Sequence, residues 1–94
     1  MRQYEVMLIL PAEAEESSVD GVIDRIRGVL GDNGEVGKVD KWGRRRLAYQ
    51  IERQSEGYYA VVDFKSDPDV IAELDRTLQL SDQVLRFKVL VKAA

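Results

Sequence analysis

Three consecutive arginines are the residues of this sequence best suited to binding chemistry. They occupy positions 44–46, directly after Trp42 and Gly43. An arginine guanidinium donates paired hydrogen bonds to phosphate and stacks on exposed bases, so this stretch predicts a surface that faces nucleic acid. The residues that follow alternate as in a strand, with apolar side chains at Leu47, Tyr49 and Ile51. Residues 41–51 are called the basic ribbon below.

The distribution of charge supports this interpretation although the net charge is −3. Between Lys38 and Arg53, six basic residues accompany two acids, whereas the rest of the chain has eight basic and fifteen acidic residues. This pattern predicts one positive surface on an otherwise acidic molecule, which orients a protein on an anionic partner. The alternative is that the basic side chains only protect an exposed edge strand from aggregation.

Enzymatic chemistry is disfavoured by the residue types that the sequence lacks. There is no cysteine and no histidine, so thiolate ligands, disulfides and the commonest general base are all excluded. The loop after the first predicted strand, 11–16, is acidic, whereas acylphosphatases of similar topology bind phosphate there. We therefore predict a protein that is not an enzyme and needs no metal, cofactor or small-molecule substrate.

Apolar periodicity predicts the elements that position the ribbon within one domain, 1–94. Gly43 predicts a bulge or a bend in the second strand. The apolar run 6–10 is too short for a signal peptide or a membrane span, which favours a cytosolic location. In chain order we expect a strand at 4–10, a helix capped by Ser17 or Ser18 that ends at Gly31, a strand from Glu35 to about Glu52, a hairpin turn at 54–57, a strand at 58–65, a helix from Asp67 to near Gln79, and a strand at 84–92.

This order of elements is typical of the ferredoxin-like split βαβ sandwich, an α+β fold with two helices on one face of a four-stranded antiparallel sheet. Right-handed crossovers place the first and third strands in the centre and the other two at the edges. The open face is predicted to be apolar enough for a partner protein to dock, although scattered surface apolar residues are also common. Its predicted residues are Met7, Ile9, Tyr59 and Val61, with Leu90 toward one edge.

RNA-recognition motifs share this topology, but they stack bases on aromatic residues of the first and third strands. Here Tyr59 is aromatic, while Met7 and Val61 occupy neighbouring positions. Base stacking on the sheet is therefore disfavoured, and the basic ribbon remains the candidate.

From Trp42 to Ile51 the chain resembles the bacterial small-subunit ribosomal protein six family. The resemblance extends to 1–5, 57–59 and 84–86, and it covers essentially the whole chain. It implies a ferredoxin-like fold that binds 16S ribosomal RNA in the cytoplasmic ribosome and forms a heterodimer with ribosomal protein eighteen. The alternative is a stand-alone regulatory or dimerisation domain whose open sheet binds a protein or a small ligand.

The resemblance also implies roles for individual residues of this sequence. Gly43 would meet a backbone requirement, and Leu47 and Tyr49 would support the core. The residues implied on the RNA side are Arg2, Arg44, Arg45 and Arg86, with Lys41, Arg46, Lys88 and Lys92 behind them.

Overall fold

The computed structural model describes residues 1–51 and 53–92. Glu52, where the second strand was expected to end, and the last two residues of the predicted domain lie outside this range. The elements are β1 (Arg2–Pro11), α1 (Glu16–Leu30), β2 (Gly34–Ile51), β3 (Gln54–Ser66), α2 (Ile71–Gln79) and β4 (Arg86–Val91), with short 3₁₀ helices at Gly31–Asn33 and Pro68–Val70.

The strands form one antiparallel sheet in the order β2-β3-β1-β4. This order confirms the ferredoxin-like prediction, with β1 and β3 central and β2 and β4 at the edges. Burial of apolar surface, worth about 1.5 to 3 kcal/mol for each large side chain, stabilises the contact between sheet and helices. The core is built from alternate residues of β1 and β3 and the apolar stripes of both helices: Tyr4, Val6, Leu8, Leu10, Ala60, Val62, Phe64, Val19, Val22, Ile23, Ile26, Leu30, Leu74 and Leu78.

The start of α1 differs from the prediction. Glu15 is the N-cap rather than Ser17 or Ser18, and its backbone N–H donates to the Ser18 hydroxyl oxygen at 3.4 Å. Ser18 therefore accepts a hydrogen bond from within the first turn of α1 instead of capping it, because the N-cap lies two or three residues before the predicted one. Its end follows the prediction, since Gly31 has a positive φ of 51°.

The hairpin turn predicted at 54–57 is wrong. Gln54 pairs with Ile51, so these four residues are the first residues of β3. Arg53, next to this pair, has a left-handed φ of 69°. The serine and glycine that suggested a turn belong to a strand, and Gly57 is buried there because another segment crosses it closely.

Candidate RNA-binding surface

A bulge at Gly43 sets the geometry of the basic ribbon. Lys41 pairs with Ala60 and Gly43 pairs with Tyr59, so Trp42 is an extra residue on β2. Gly43 has a φ of 83°, which favours glycine. No described atom lies within 4 Å of a β-carbon built there, so the backbone conformation, rather than a lack of space, requires glycine. The predicted bulge is confirmed.

The three arginines are divided between the two faces of β2. Arg44 is opposite Tyr58, Arg45 is opposite Gly57, and residue 46 is opposite residue 56. Directly opposed residues of antiparallel strands share a face, so Arg45 projects on the open face and its two neighbours on the helix side. All three side chains are exposed, and they lie on both faces of the sheet at its edge strand.

Beyond the arginines, residues 47–51 leave the regular ladder and lie on the open face; they are called the ribbon arm. The next pair after position 46 is Ile51 with Gln54, so β2 has more residues than β3 in this interval. Leu47 and Ile51 are buried in a small apolar cluster with Leu85. Ile9 and Tyr59 of the open face pack against that cluster.

The ribbon arm confirms one expected support residue and corrects another. Leu47 is buried, but 71% of Tyr49 is exposed. The family resemblance implied a core role for Tyr49, but β2 has more residues than β3 in this interval, and Tyr49 lies on the outer side of the arm. Leu85 was missed as a partner of the arm, because only the fold brings it to Leu47.

Gly57 allows the arm to lie this close to the sheet. A β-carbon at this position would be 2.7 Å from Ile9 Cγ2 and 3.3 Å from Leu47 Cδ2. The first distance is shorter than carbon atoms tolerate, so a larger residue would displace the Ile9 side chain of β1, against which the arm packs, and would crowd Leu47. Glycine at position 57 thus allows Ile9 and Leu47 to pack closely against β3.

Three of the predicted RNA-binding residues lie beside carboxylates. Lys41 Nζ is 2.8 Å from Asp20 Oδ1 of α1. This hydrogen bond raises the pKa of the Lys41 amine above its ordinary value of 10.5. Arg44 Nε lies 4.0 Å from Glu56 Oε2, and Lys92 Nζ lies 3.2 Å from Asp63 Oδ2. Within 1–51 and 53–92, Arg45 and Arg46 form no ion pair.

The other predicted residues are not part of one continuous patch with the ribbon. Arg86 is opposite Ile9 and Lys88 is opposite Met7, so both project on the open face from β4, across the sheet from β2. Arg2 lies opposite Ser66, at the far end of the sheet from the three arginines. Lys92 is also at that end, where its backbone N–H donates to the Gln3 carbonyl at 2.9 Å.

The predicted partner face is smaller than expected, because the ribbon arm occupies part of it. Ile9 and Tyr59 are half-buried, and Val61 is only 8% exposed. Met7 is half-buried and Leu90 is 40% exposed. The uncovered apolar surface therefore lies nearer to β1 and β4 than to the arm.

Trp42 borders the same face. Its ring is parallel to that of Tyr59, with an interplanar angle of 7° and ring centroids 6.4 Å apart, and 45% of its surface is exposed. The bulge places the indole there, because it adds one residue between the positions that pair with Ala60 and Tyr59. The sequence indicated the bulge but not this contact.

Among the residues that the structure describes, no cluster of three or more acidic side chains is arranged to hold a metal ion. No described helix is long and apolar enough to cross a membrane.

Several known proteins are similar to this chain. A family model described as ribosomal protein S6 matches residues 3–91. Over 91 residues, the chain is 50% identical to the small ribosomal subunit protein bS6 of Streptomyces coelicolor, covering 96% of this chain and 95% of that protein. The protein of the same name from Corynebacterium glutamicum is 52% identical over 91 residues, which cover 96% of each chain. The crystal structure of 30S ribosomal protein S6 from Thermotoga maritima matches with a TM-score of 0.83 and 26% identity, covering 97% of this chain and 87% of that chain.

Proposed function

This chain belongs to the ribosomal protein S6 family, and from that premise we propose that it binds 16S ribosomal RNA through the basic ribbon, together with ribosomal protein eighteen. It is a structural, non-enzymatic component of the bacterial small ribosomal subunit, and it is located on the ribosome in the cytoplasm. Family membership favours this interpretation over a stand-alone regulatory domain.

The observation that carries the proposal is the exposure of Arg45 and Arg46 on an anchored segment. Neither guanidinium has a carboxylate partner within the described residues, so both are available for phosphate. Burial of Leu47 and Ile51 fixes the backbone immediately after them. A preorganised segment loses less conformational entropy on binding, which favours affinity.

The carboxylates near the basic residues determine the order in which we expect these residues to contribute to RNA affinity. Arg45 and Arg46 come first, while Arg44 shares its charge with Glu56. Lys41 comes last among the ribbon residues, because its amine is held by Asp20 on the helix side. The remaining residues would add separate contacts, Arg86 and Lys88 from β4 and Arg2 and Lys92 from the far end of the sheet.

The proposed partner protein, ribosomal protein eighteen, would account for two features of the chain, its negative net charge and its uncovered apolar surface. The chain has a net charge of −3, so a few arginines give it only non-specific affinity for RNA, with a Kd of about 10⁻⁴ to 10⁻⁶ M at physiological salt. The apolar surface of Met7 and Leu90 is open to a second protein. Ribosomal protein eighteen would cover this surface and add RNA contacts of its own.

The test is a salt titration of RNA binding by the heterodimer. Arg45→Ala should weaken binding to a 16S RNA fragment and reduce the slope of log affinity against log salt by roughly one, because one phosphate contact is lost. Arg45→Ala/Arg46→Ala should reduce it by about two. Without protein eighteen, binding should fall to the non-specific range.

Arg25→Ala is the matched control, since Arg25 is an exposed arginine of α1. Its salt slope should equal that of the unmodified chain. If the double variant of the ribbon binds as tightly as Arg25→Ala, the ribbon does not contact RNA and the proposal is wrong.

A further inference from the structure

Tyr49 is an aromatic residue for which the fold has no structural use. It lies between two buried residues of the ribbon arm, yet 71% of its surface is exposed. Its neighbours Ala48 and Gln50 are exposed as well, so the outer side of the arm is presented to solvent. An exposed ring adds nothing to the core. Because single exposed apolar side chains are common on protein surfaces, the case for binding depends on the charges beside the ring.

The charges along the chain around Tyr49 suit an anionic strand. Residues 44–53 contain four arginines and one acid, Glu52, which lies outside the described residues. Arg46 is three residues from Tyr49, at most about 10 Å along an extended chain. Single-stranded nucleic acids are bound by this combination, in which basic side chains contact the phosphates and an aromatic ring stacks on a base.

Trp42, the other exposed aromatic residue within the described ranges, is less suited to this role. One side of its indole lies along Tyr59. The hollow beside it is lined by the carboxylates of Glu5, Asp40 and Asp63 and by the amines of Lys38 and Lys92, so its charge is less favourable to a phosphodiester chain than the arginines beside Tyr49. The contrast between the two rings selects Tyr49.

We propose that Tyr49 stacks on an unpaired nucleobase of the RNA strand whose phosphates are bound by Arg45 and Arg46. The proposal rests on the proposed RNA-binding function and adds a contact of a different kind to it. Phosphate contacts respond to salt, whereas stacking depends on the presence of a base and is nearly independent of salt. The two contributions can therefore be measured separately.

The experiment uses the heterodimer of the full chain with protein eighteen and two probes, an oligoadenylate and an abasic oligonucleotide of equal length. The unmodified chain should prefer the oligoadenylate by about tenfold. Tyr49→Leu should lose this preference and keep its salt slope, whereas Tyr49→Phe should retain both. Trp42→Leu, the matched control, should keep the preference.

Each other result would overturn the proposal. If Tyr49→Leu keeps the preference, the base does not stack on Tyr49; if Tyr49→Phe loses it, the phenol hydroxyl is what matters. If Tyr49→Leu instead prevents assembly with protein eighteen in a sedimentation assay, the ring contacts protein. If Arg45→Ala/Arg46→Ala loses affinity and Tyr49→Leu has no effect, only the stacking proposal is wrong. If neither variant has an effect, the proposal that the basic ribbon binds RNA is wrong as well.

Discussion

At the scale of single residues, the ion pair between Lys41 and Asp20 joins the edge strand to helix α1. Lys41 is opposite Ala60, so its side chain is on the helix side of the sheet. Its neighbour Arg45 projects on the open face. Two basic residues of one ribbon thus have different electrostatic surroundings: within residues 1–51 and 53–92, Lys41 pairs with a carboxylate and Arg45 does not.

The pair predicts a specific pH dependence of stability. A raised pKa of Lys41 means that the folded state favours the protonated amine, so this stabilisation is present below the ordinary pKa of 10.5 and disappears as pH rises through the folded value. Asp20→Asn should therefore be less stable than the unmodified chain at pH 7 in urea unfolding. The difference should vanish above the folded pKa, and an NMR titration of the Lys41 side chain should show the pKa falling in the variant.

Asp24→Asn provides the control on the same helix. Asp24 pairs with Arg27 at 3.1 Å, and a guanidinium does not titrate in this range. The stability change in Asp24→Asn should thus stay constant across the alkaline range. An Asp20→Asn difference that also stayed constant would contradict the assignment of the pair.

At the scale of elements, β2 shows what local pattern can and cannot predict. The strand and its bulge at Gly43 follow from alternation and from the special conformation of glycine. The path of the ribbon arm does not, because it depends on how many residues of β2 oppose β3 and on a cluster with Leu85, distant in sequence. A second irregularity of β2 lies between Val36 and Val39 and was not predicted, although Gly37 falls within it.

Replacing Gly57 tests whether the arm is held by close packing. In Gly57→Ala the new methyl group would overlap Ile9, so stability should fall by about 1 to 3 kcal/mol. Gly21→Ala should instead gain about 1 kcal/mol, because no described atom is within 4 Å of that position in α1 and alanine favours helix. Equilibrium urea unfolding of both variants measures the contrast. Equal effects would mean that the close contacts of Gly57 with Ile9 and Leu47 do not limit the residue at this position.

At the scale of the whole molecule, the fold was predictable because every part of the pattern agrees. Helical and strand periodicities, the order of elements and right-handed crossovers lead to one topology. The surface was predictable only in part, since ion pairs such as Lys92 with Asp63 depend on the register of the sheet. The family resemblance implies one set of RNA-binding residues that includes Arg2 and Arg86, whereas the register places these two at opposite ends of the sheet.

One core substitution tests whether both faces of the sheet unfold together. Leu74 of α2 is fully buried, so Leu74→Ala should cost about 2 to 5 kcal/mol through a cavity. The single tryptophan, Trp42, lies on the opposite face and reports unfolding there by its fluorescence. In a cooperative domain, the urea midpoints from fluorescence and from helical circular dichroism should fall together. Leu80→Ala, at an exposed leucine just after α2, should change stability by less than about 0.5 kcal/mol. A fluorescence midpoint that stayed in place in Leu74→Ala would show that the open face and the basic ribbon unfold independently of the helices.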